Sequence, residues 1–348
     1  MTSARALSIG HRPAVPLAGP AGLADFARLR TPRAQEWADG FVLSRELVGP
    51  AERGRFYRRV RAGDLARVRS GVYLPAELWP RDDDDLFLAR IRAEALASPV
   101  PLLFGAHSAA ALWRLPIIGA WPDRAAVIAG RASGGRSARS LTRRCEGMPE
   151  EVWVVDGLAT TGIARTVVDM GRIERFGVAV PMADFALAPK PGGLGALSVT
   201  VERQQLDAQV NAMGLVPGRT KATAVVDFAD GDSGSAGESL SRVTAHRLGF
   251  PRPVLQFAFR DEQGEMFVDF CWPDYRMIGE FDGAGKYLRE EYTGGRSTAE
   301  IVMAEKARED RLRALGAGVT RWGWAEAQNP PALRRKLLAA GLPLQSSR

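Results

Sequence analysis

A chain of 348 residues that is 46% hydrophobic and 25% charged has the make-up of a globular protein of two or three domains. Two cysteines and three histidines, scattered along the chain, argue against a disulfide framework and against a zinc site of thiolate and imidazole ligands. The net charge of +7 has a location: residues 1–70 hold 13 arginines, no lysine and six acids, a surplus that points to a nucleic-acid-binding module at that end. No run reaches the roughly 18 apolar residues of a spanning helix, and the N-terminus lacks an uninterrupted apolar segment, so the expectation is a cytoplasmic protein with no membrane partner.

Residues 1–35 are rich in Ala, Pro, Gly and Arg with weak periodicity and read as a flexible leader, with a helical turn or two over 21–29. Residues 36–80 carry a sharper pattern. FVLSRELVG is a candidate helix with Ser44 as N-cap, broken by Pro50. ERGRFYRRVRAGD reads as a second helix. Phe56 and Val60, four apart, form its inner edge, Arg53, Arg55, Arg58, Arg59 and Arg61 cover the rest, and Gly63 can cap it. LARVRSGVYLP then alternates around Gly71 as a short hairpin bearing Arg67 and Arg69. Helix, turn, basic helix and basic hairpin is the order of a winged helix-turn-helix, whose basic helix enters the major groove of double-stranded DNA. The competing reading is a solvated arginine-rich face in a chain that favours Arg over Lys throughout.

Residues 81–230 read as an α/β middle domain with a helical connector. The expected elements are a helix over 86–96, a helix in FGAHSAAALWRLP ended by Pro116, a strand over 125–129, a polar basic loop SGGRSARSLTRR and a strand in EVWVVDG. LATTGIARTVVDMGR begins as an extended or turn segment and becomes a helix with Ile163, Val167 and Met170 inside. His107, near a helix N-terminus, reads as a capping or packing residue. Helical segments are expected over 200–213 and 224–228, and DGDSGSAGES reads as a Ser/Gly linker.

Residues 235–345 form the last expected domain. It opens with a helix over 237–248 that carries Glu238 in its first turn and is closed by Gly249. Strands over 254–259, 266–272 and 276–282 follow, then the long helix of STAEIVMAEKAREDRLRALG and a final strand over 319–324. In MFVDFCWPDYRMIGEFDGAGKY three carboxylates interrupt an apolar hairpin. Strand alternation points Glu280 and Asp282 the same way, and Asp269 sits on the neighbouring strand. A charge inside an apolar strand is costly unless paired, and a divalent cation would pair with all three. Gly283 and Gly285 let the chain turn there, which brings Lys286 toward the same spot. The competing reading is separate strand-end carboxylates facing water. On the long helix Lys306 and Asp310 share a face, as do Glu305 and Glu309, either as a salt-bridged surface or as a phosphate-positioning one.

These residues in this order resemble the PD-(D/E)XK nuclease superfamily, and within it the compact group related to very-short-patch-repair endonucleases, over about residues 235–327. The resemblance implies an αβββαβ nuclease-like domain in which Glu238, Asp269, Glu280 and Asp282 hold Mg²⁺ or Mn²⁺. The superfamily usually places a lysine two residues after the strand glutamate. Asp282 stands there instead, so Lys286 is implied as the relocated cation and Lys306 as a second candidate. The chemistry suits the residue types: Mg²⁺ takes oxygen ligands, a metal-bound water loses its proton readily, and an ammonium stabilises phosphate charge. The front section, RELVGPAERGRFYRRVRAGDLARVRSGVYLP with HSAAALWRLP and GLATTGIARTVVDMG, is similar to the AbiEi-type antitoxin family of type IV toxin–antitoxin systems, which implies promoter binding and a cognate toxin as partner. The whole is expected to be an α/β (α+β) protein acting as a metal-dependent DNA endonuclease aimed by its winged helix, in phage defence or a toxin–antitoxin system. The alternative is an antitoxin-like autorepressor with a non-catalytic nuclease fold. An RNA-directed nuclease is a third reading.

Overall fold

The computed structural model describes residues 15–17, 40–130, 140–144, 147–188, 201–283 and 298–345. The expected α/β (α+β) class holds, with 11 helices and three sheets among the described residues. The chain divides into two units, Met1–Ile173 with Lys190–Ala222 and Glu174–Pro189 with Thr223–Arg348, so the region expected as one middle domain is shared between them.

In the first unit β1 (Val15–Leu17) pairs antiparallel with residues 152–154. β2 (Val42–Leu43) leads into a single 3₁₀ turn, Ser44–Glu46, and then α1 (Gly49–Ala62). Two expectations are corrected here. The helix expected from FVLSRELVG is only this strand and turn, because Leu47 and Val48 return to extended backbone before a second turn forms. Pro50 starts a helix rather than ending one: it lies in the first turn of α1, where its missing N–H costs nothing. Phe56 is the buried residue of α1, edge-on to Tyr73 at 4.9 Å, and Gly63, at φ 83°, caps the helix. β3 (Leu65–Arg69) and β4 (Val72–Pro75) turn at Gly71 and complete a sheet in the order β2-β4-β3.

The acid run Asp82–Asp85 turns out to open α2 (Asp83–Ala97). Asp82 accepts the Asp85 N–H at 2.8 Å, and three aspartates sit in the positive first turn. β5 (Leu103–Phe104), α3 (Ala106–Leu112), β6 (Ala125–Ile128), β7 (Leu141–Arg144), β8 (Val152–Val155) and β9 (Leu158–Thr161) follow, giving a six-stranded sheet β1-β8-β9-β5-β6-β7. Residues 141–144, read as loop, are a strand parallel to β6, and 158–161 pair with β8. Both are four-residue strands, too short and too polar or too uniformly buried to show alternation. α4 (Ile163–Ile173) completes this region.

α5 (Phe176–Leu187) belongs to the second unit and has no counterpart in the sequence reading. Its residues are buried nearly all round and Pro181 lies within it, so neither periodicity nor composition announces a helix. α6 (Arg203–Ala212) returns to the first unit, and the unit boundary falls within α7 (Arg219–Phe228). The Ser/Gly stretch read as a linker is a structured cap instead. Ser233 Oγ and Ser239 Oγ lie 2.9 Å apart, the Gly234 N–H donates to Glu238 at 2.8 Å, and Ser235 caps α8 (Ala236–Arg247). A buried ion pair ties α5 to α8: Arg242 Nη2 donates to both oxygens of Asp184, at 2.8 and 2.7 Å, with each side chain 1% exposed. Arg242 Nη1 also donates to the Phe228 carbonyl at 2.7 Å, and Asp184 accepts the Asp230 N–H at 2.7 Å. Burial raises the Asp184 pKa while Arg242 pulls it back.

β10 (Val254–Asp261), β11 (Gly264–Trp272) and β12 (Met277–Phe281) form an antiparallel meander. α9 (Thr298–Ala314) then carries the chain to β13 (Gly318–Trp322), which lies parallel to β12. From α8 onward, helix, three strands, helix and strand is the order read from the sequence. α10 (Trp324–Ala327) and α11 (Pro330–Ala339) extend it, and Leu333 and Leu337 of α11 pack with Phe270, Trp272, Phe281 and Trp322 on one face of the sheet. Val268, Cys271 and Ile278 pack with Leu312 of α9 on the other, and burial pushes the Cys271 thiol up to about 11, as suits a buried filler. α8 lies so close to β12 that a Cβ on Gly237 would stand 2.1 Å from the Phe281 ring. Gly237→Ala is therefore expected to destabilise the second unit by about 1–3 kcal/mol through overpacking, read as a lowered thermal midpoint of that unit in the full-length protein.

Candidate active site

The β11–β12 ladder ends with Phe270 opposite Gly279, and Asp269 and Glu280 are the next residue on each strand, near enough that the charge of Asp269 raises the Glu280 pKa. Like charges directly opposed on two strands repel. The sheet also deviates here. Met266 and Val268 pack on the α9 face, whereas Phe270 and Trp272 pack on the α8 face, so the two-residue alternation slips at Asp269. Opposite the slip, Gln256 of β10 adopts φ 46°, the left-handed region that a non-glycine residue seldom enters. Asp269 uses its carboxylate to replace a ladder bond, accepting the Phe281 N–H at 2.8 Å. Glu280 is 8% exposed, and its pKa is pushed up to about 7, first by burial and then by the charge of Asp269, against the pull of Arg308 and Arg321.

Two arginines that the sequence did not single out surround these acids. Arg308, on α9, donates to Glu280 Oε1 at 3.0 Å, and the same nitrogen reaches the Phe267 carbonyl. Arg321, on β13, stands 4.0 Å from Asp282 and 3.4 Å from Glu309. Asp282 lies just past β12, with its N–H held by the Trp322 carbonyl at 2.8 Å and its side chain partly exposed. Glu238 lies in the first turn of α8. Its oxygens accept the Gly234 N–H and the Ser235 hydroxyl, each at 2.8 Å, with Gln256 at 3.5 Å, so the expected ligand closes its own helix cap. Lys306 and Asp310 are exposed on α9, and Lys286 lies outside the described residues.

Among the described residues no three His, Cys, Asp or Glu side chains come together as a ready-made metal site. The opposed pair offers oxygen atoms alone, the donor type of Mg²⁺ or Mn²⁺, and Mg²⁺ is commonly held by one or two carboxylates with water and substrate phosphate completing the shell. The donor set therefore fits a hard divalent cation at Asp269 and Glu280, with Asp282 beside them.

In the first unit Arg53, Arg55, Arg58, Arg59 and Arg61 of α1 and Arg67 of β3 are exposed. Arg69 differs: it pairs at 3.2 Å with the buried Glu94 and serves the fold. A separate cavity of about 230 Å³ in this unit is lined by Trp153, Arg165, Asp169, Arg172 and Gln205, and both of its guanidiniums are bonded to Asp169.

No family model matches the chain. Two curated relatives, uncharacterized proteins of Mycobacterium tuberculosis strains CDC 1551 / Oshkosh and ATCC 25618 / H37Rv, are each 31% identical to it over 163 residues. The match covers 47% of this chain and 54% of each relative, so the chain spans about half the length of the curated relatives it matches. No helix among the described residues is long and apolar enough to cross a membrane.

The raised pKa of Glu280 has a consequence for stability. The unfolded chain gives up this proton near the ordinary value of 4.5, the folded chain only near 7, so native stability falls as pH climbs through that window. Glu280→Gln removes the penalty. Above pH 7 the variant is expected to be more stable than the parent by about 1–3 kcal/mol, with the gap closing below pH 5, as read from denaturation midpoints across the range.

Proposed function

We propose that this protein is a metal-dependent DNA endonuclease whose basic first unit binds duplex DNA. The observation that carries the reading is the opposed pair Asp269 and Glu280, set in an apolar sheet where two carboxylates only add cost unless a cation is brought to them. Asp269 and Glu280 would hold Mg²⁺ or Mn²⁺, which supplies a readily deprotonated water and positive charge against the phosphodiester. Asp269 is already oriented by the Phe281 N–H, and Arg321 lies within reach of Asp282 and Glu309 as a cation for a phosphate. The α8 face of the sheet, with Phe281 under Trp324 and Gly237, keeps β12 rigid beneath the acids. The test is nicking of supercoiled plasmid by the purified protein. Activity is expected with Mg²⁺ or Mn²⁺ and not with a chelator, and Asp269→Asn and Glu280→Gln should each lower it at least about a hundredfold. Undiminished cutting by both variants would remove the assignment.

A second reading is an antitoxin-like autorepressor, with a cognate toxin as partner and a nuclease-like fold kept for structure. What favours it is that Glu280 already has Arg308 and Glu238 already caps α8. That reading predicts sequence-specific duplex binding with no metal-dependent cutting.

Both readings use the exposed arginines of α1. Replacing Arg55, Arg58 and Arg59 together by Ala is expected to reduce the slope of log affinity against log salt by about 2–3 for duplex DNA. Arg69→Ala should leave that slope alone and lower stability instead, because it strands the buried Glu94, whose pKa burial already raises.

A further inference from the structure

Arg308 occupies a telling place. It projects from α9 onto the one carboxylate of the pair that is almost fully buried, bonding Glu280 Oε1 at 3.0 Å. The same Nη2 nitrogen is anchored on the Phe267 carbonyl, two residues before Asp269, so the guanidinium bridges the two acidic strands. It is about one-third exposed, which gives it somewhere to move. A divalent cation on Asp269 and Glu280 needs the oxygen that Arg308 holds. An arginine and a metal ion cannot both be the close partner of that oxygen without severe repulsion.

We infer that Arg308 is a built-in competitor for the divalent cation, a latch that neutralises Glu280 while the metal is absent and must swing off for it to load. The inference rests on the metal-binding part of the reading above and not on DNA being the substrate. Several features of the fold follow from it. The bridge gives the like-charged pair a partner in the metal-free protein, so the sheet can form before any ion arrives. Metal affinity is lowered by the fraction of molecules in which the latch is closed. Once released, the guanidinium stands beside the acids on the solvent side, where it can meet an anionic substrate. Neighbouring cations of α9 do not share this role: Arg311 is held by Asp261 at 2.7 Å and Arg313 by Glu309 at 2.8 Å.

The test is Mn²⁺ binding to the full-length metal-free protein, followed by the loss of the free-ion electron paramagnetic resonance signal and by calorimetry. Arg308→Gln is expected to bind Mn²⁺ about tenfold more tightly than the parent, and the gain should disappear in the double variant Arg308→Gln, Glu280→Gln. Arg311→Gln removes the same charge from the same helix one turn away and should shift affinity less than about twofold. Arg308→Lys keeps the charge but loses the fork, and is expected to fall between parent and Arg308→Gln; it carries the test if Arg308→Gln does not fold. If Arg308→Gln and Arg308→Lys bind Mn²⁺ no more tightly than the parent, while Glu280→Gln abolishes binding, the latch is refuted and the metal site stands. Equal tightening by Arg311→Gln refutes it too, in favour of a long-range charge effect. Absence of binding by every variant refutes latch and metal site together. Tight binding without plasmid nicking refutes only the nuclease reading.

Discussion

Asp269 and Glu280 face one another across two strands whose other residues are almost all apolar, and much of the second unit can be understood as the accommodation of that repulsion. Each acid is answered differently. Asp269 turns into the ladder and takes the Phe281 N–H, which lets its charge be hydrogen-bonded without a counter-ion. Glu280, directed at α9, is bridged by Arg308. The backbone yields as well, with the alternation of β11 slipping at Asp269 and Gln256 entering the left-handed region across from it. Strain, opposed charge and a raised carboxyl pKa concentrated in one place are what a sheet selected only for stability would avoid. Their coincidence is the usual mark of a site kept for its chemistry.

Such a site needs a rigid foundation, and the α8 side of the sheet supplies one. Arg242 and Asp184 lock α8 to α5, and the lock also gathers the carbonyl of Phe228 and the N–H of Asp230, so the stretch leading into α8 is fixed with it. Breaking such a pair by removing one partner leaves a stranded buried charge and costs about 3–5 kcal/mol. Gly237 lets α8 settle directly on Phe281, the residue next to Glu280, and Gly279 does the same for Trp322 and Trp272. Close backbone approach on one face thus fixes the strand whose other face carries the acid.

The succession of elements in the second unit was legible because amphipathic strands and a capped long helix leave periodic traces. The acids were legible because a charge in an apolar strand breaks the pattern. What surrounds them was not. Arg308 and Arg321 are two arginines in a chain full of arginine, and only the packing of α9 and the parallel register of β13 bring them to Glu280 and Asp282. Glu238 also accepts from the Gly234 N–H and the Ser235 hydroxyl, a local capping interaction that its position alone does not announce. The Ser/Gly run looked like a linker by composition, but the same residue types serve helix caps equally well. α5 was invisible because burial on all sides erases the amphipathic signal, and Lys286 falls outside the described residues.

The arginines also show how one residue type takes two roles under different surroundings. In the second unit Arg242, Arg252, Arg260, Arg308, Arg311, Arg313 and Arg321 all meet carboxylates. Of these, Arg308 and Arg311 tie α9 to the sheet, and Arg321 ties β13 to α9. On α1 the arginines ring the helix around Phe56, and among the described residues none of Arg53, Arg55, Arg58, Arg59, Arg61 and Arg67 forms an ion pair. A cation engaged by a carboxylate has little left to offer a phosphate, whereas a bare one releases condensed counter-ions when it meets the duplex. The described α1 arginines are thus available charges, whereas seven arginines of the second unit are engaged by carboxylates. Under the proposed function the α1 arginines are the ones that would meet the duplex.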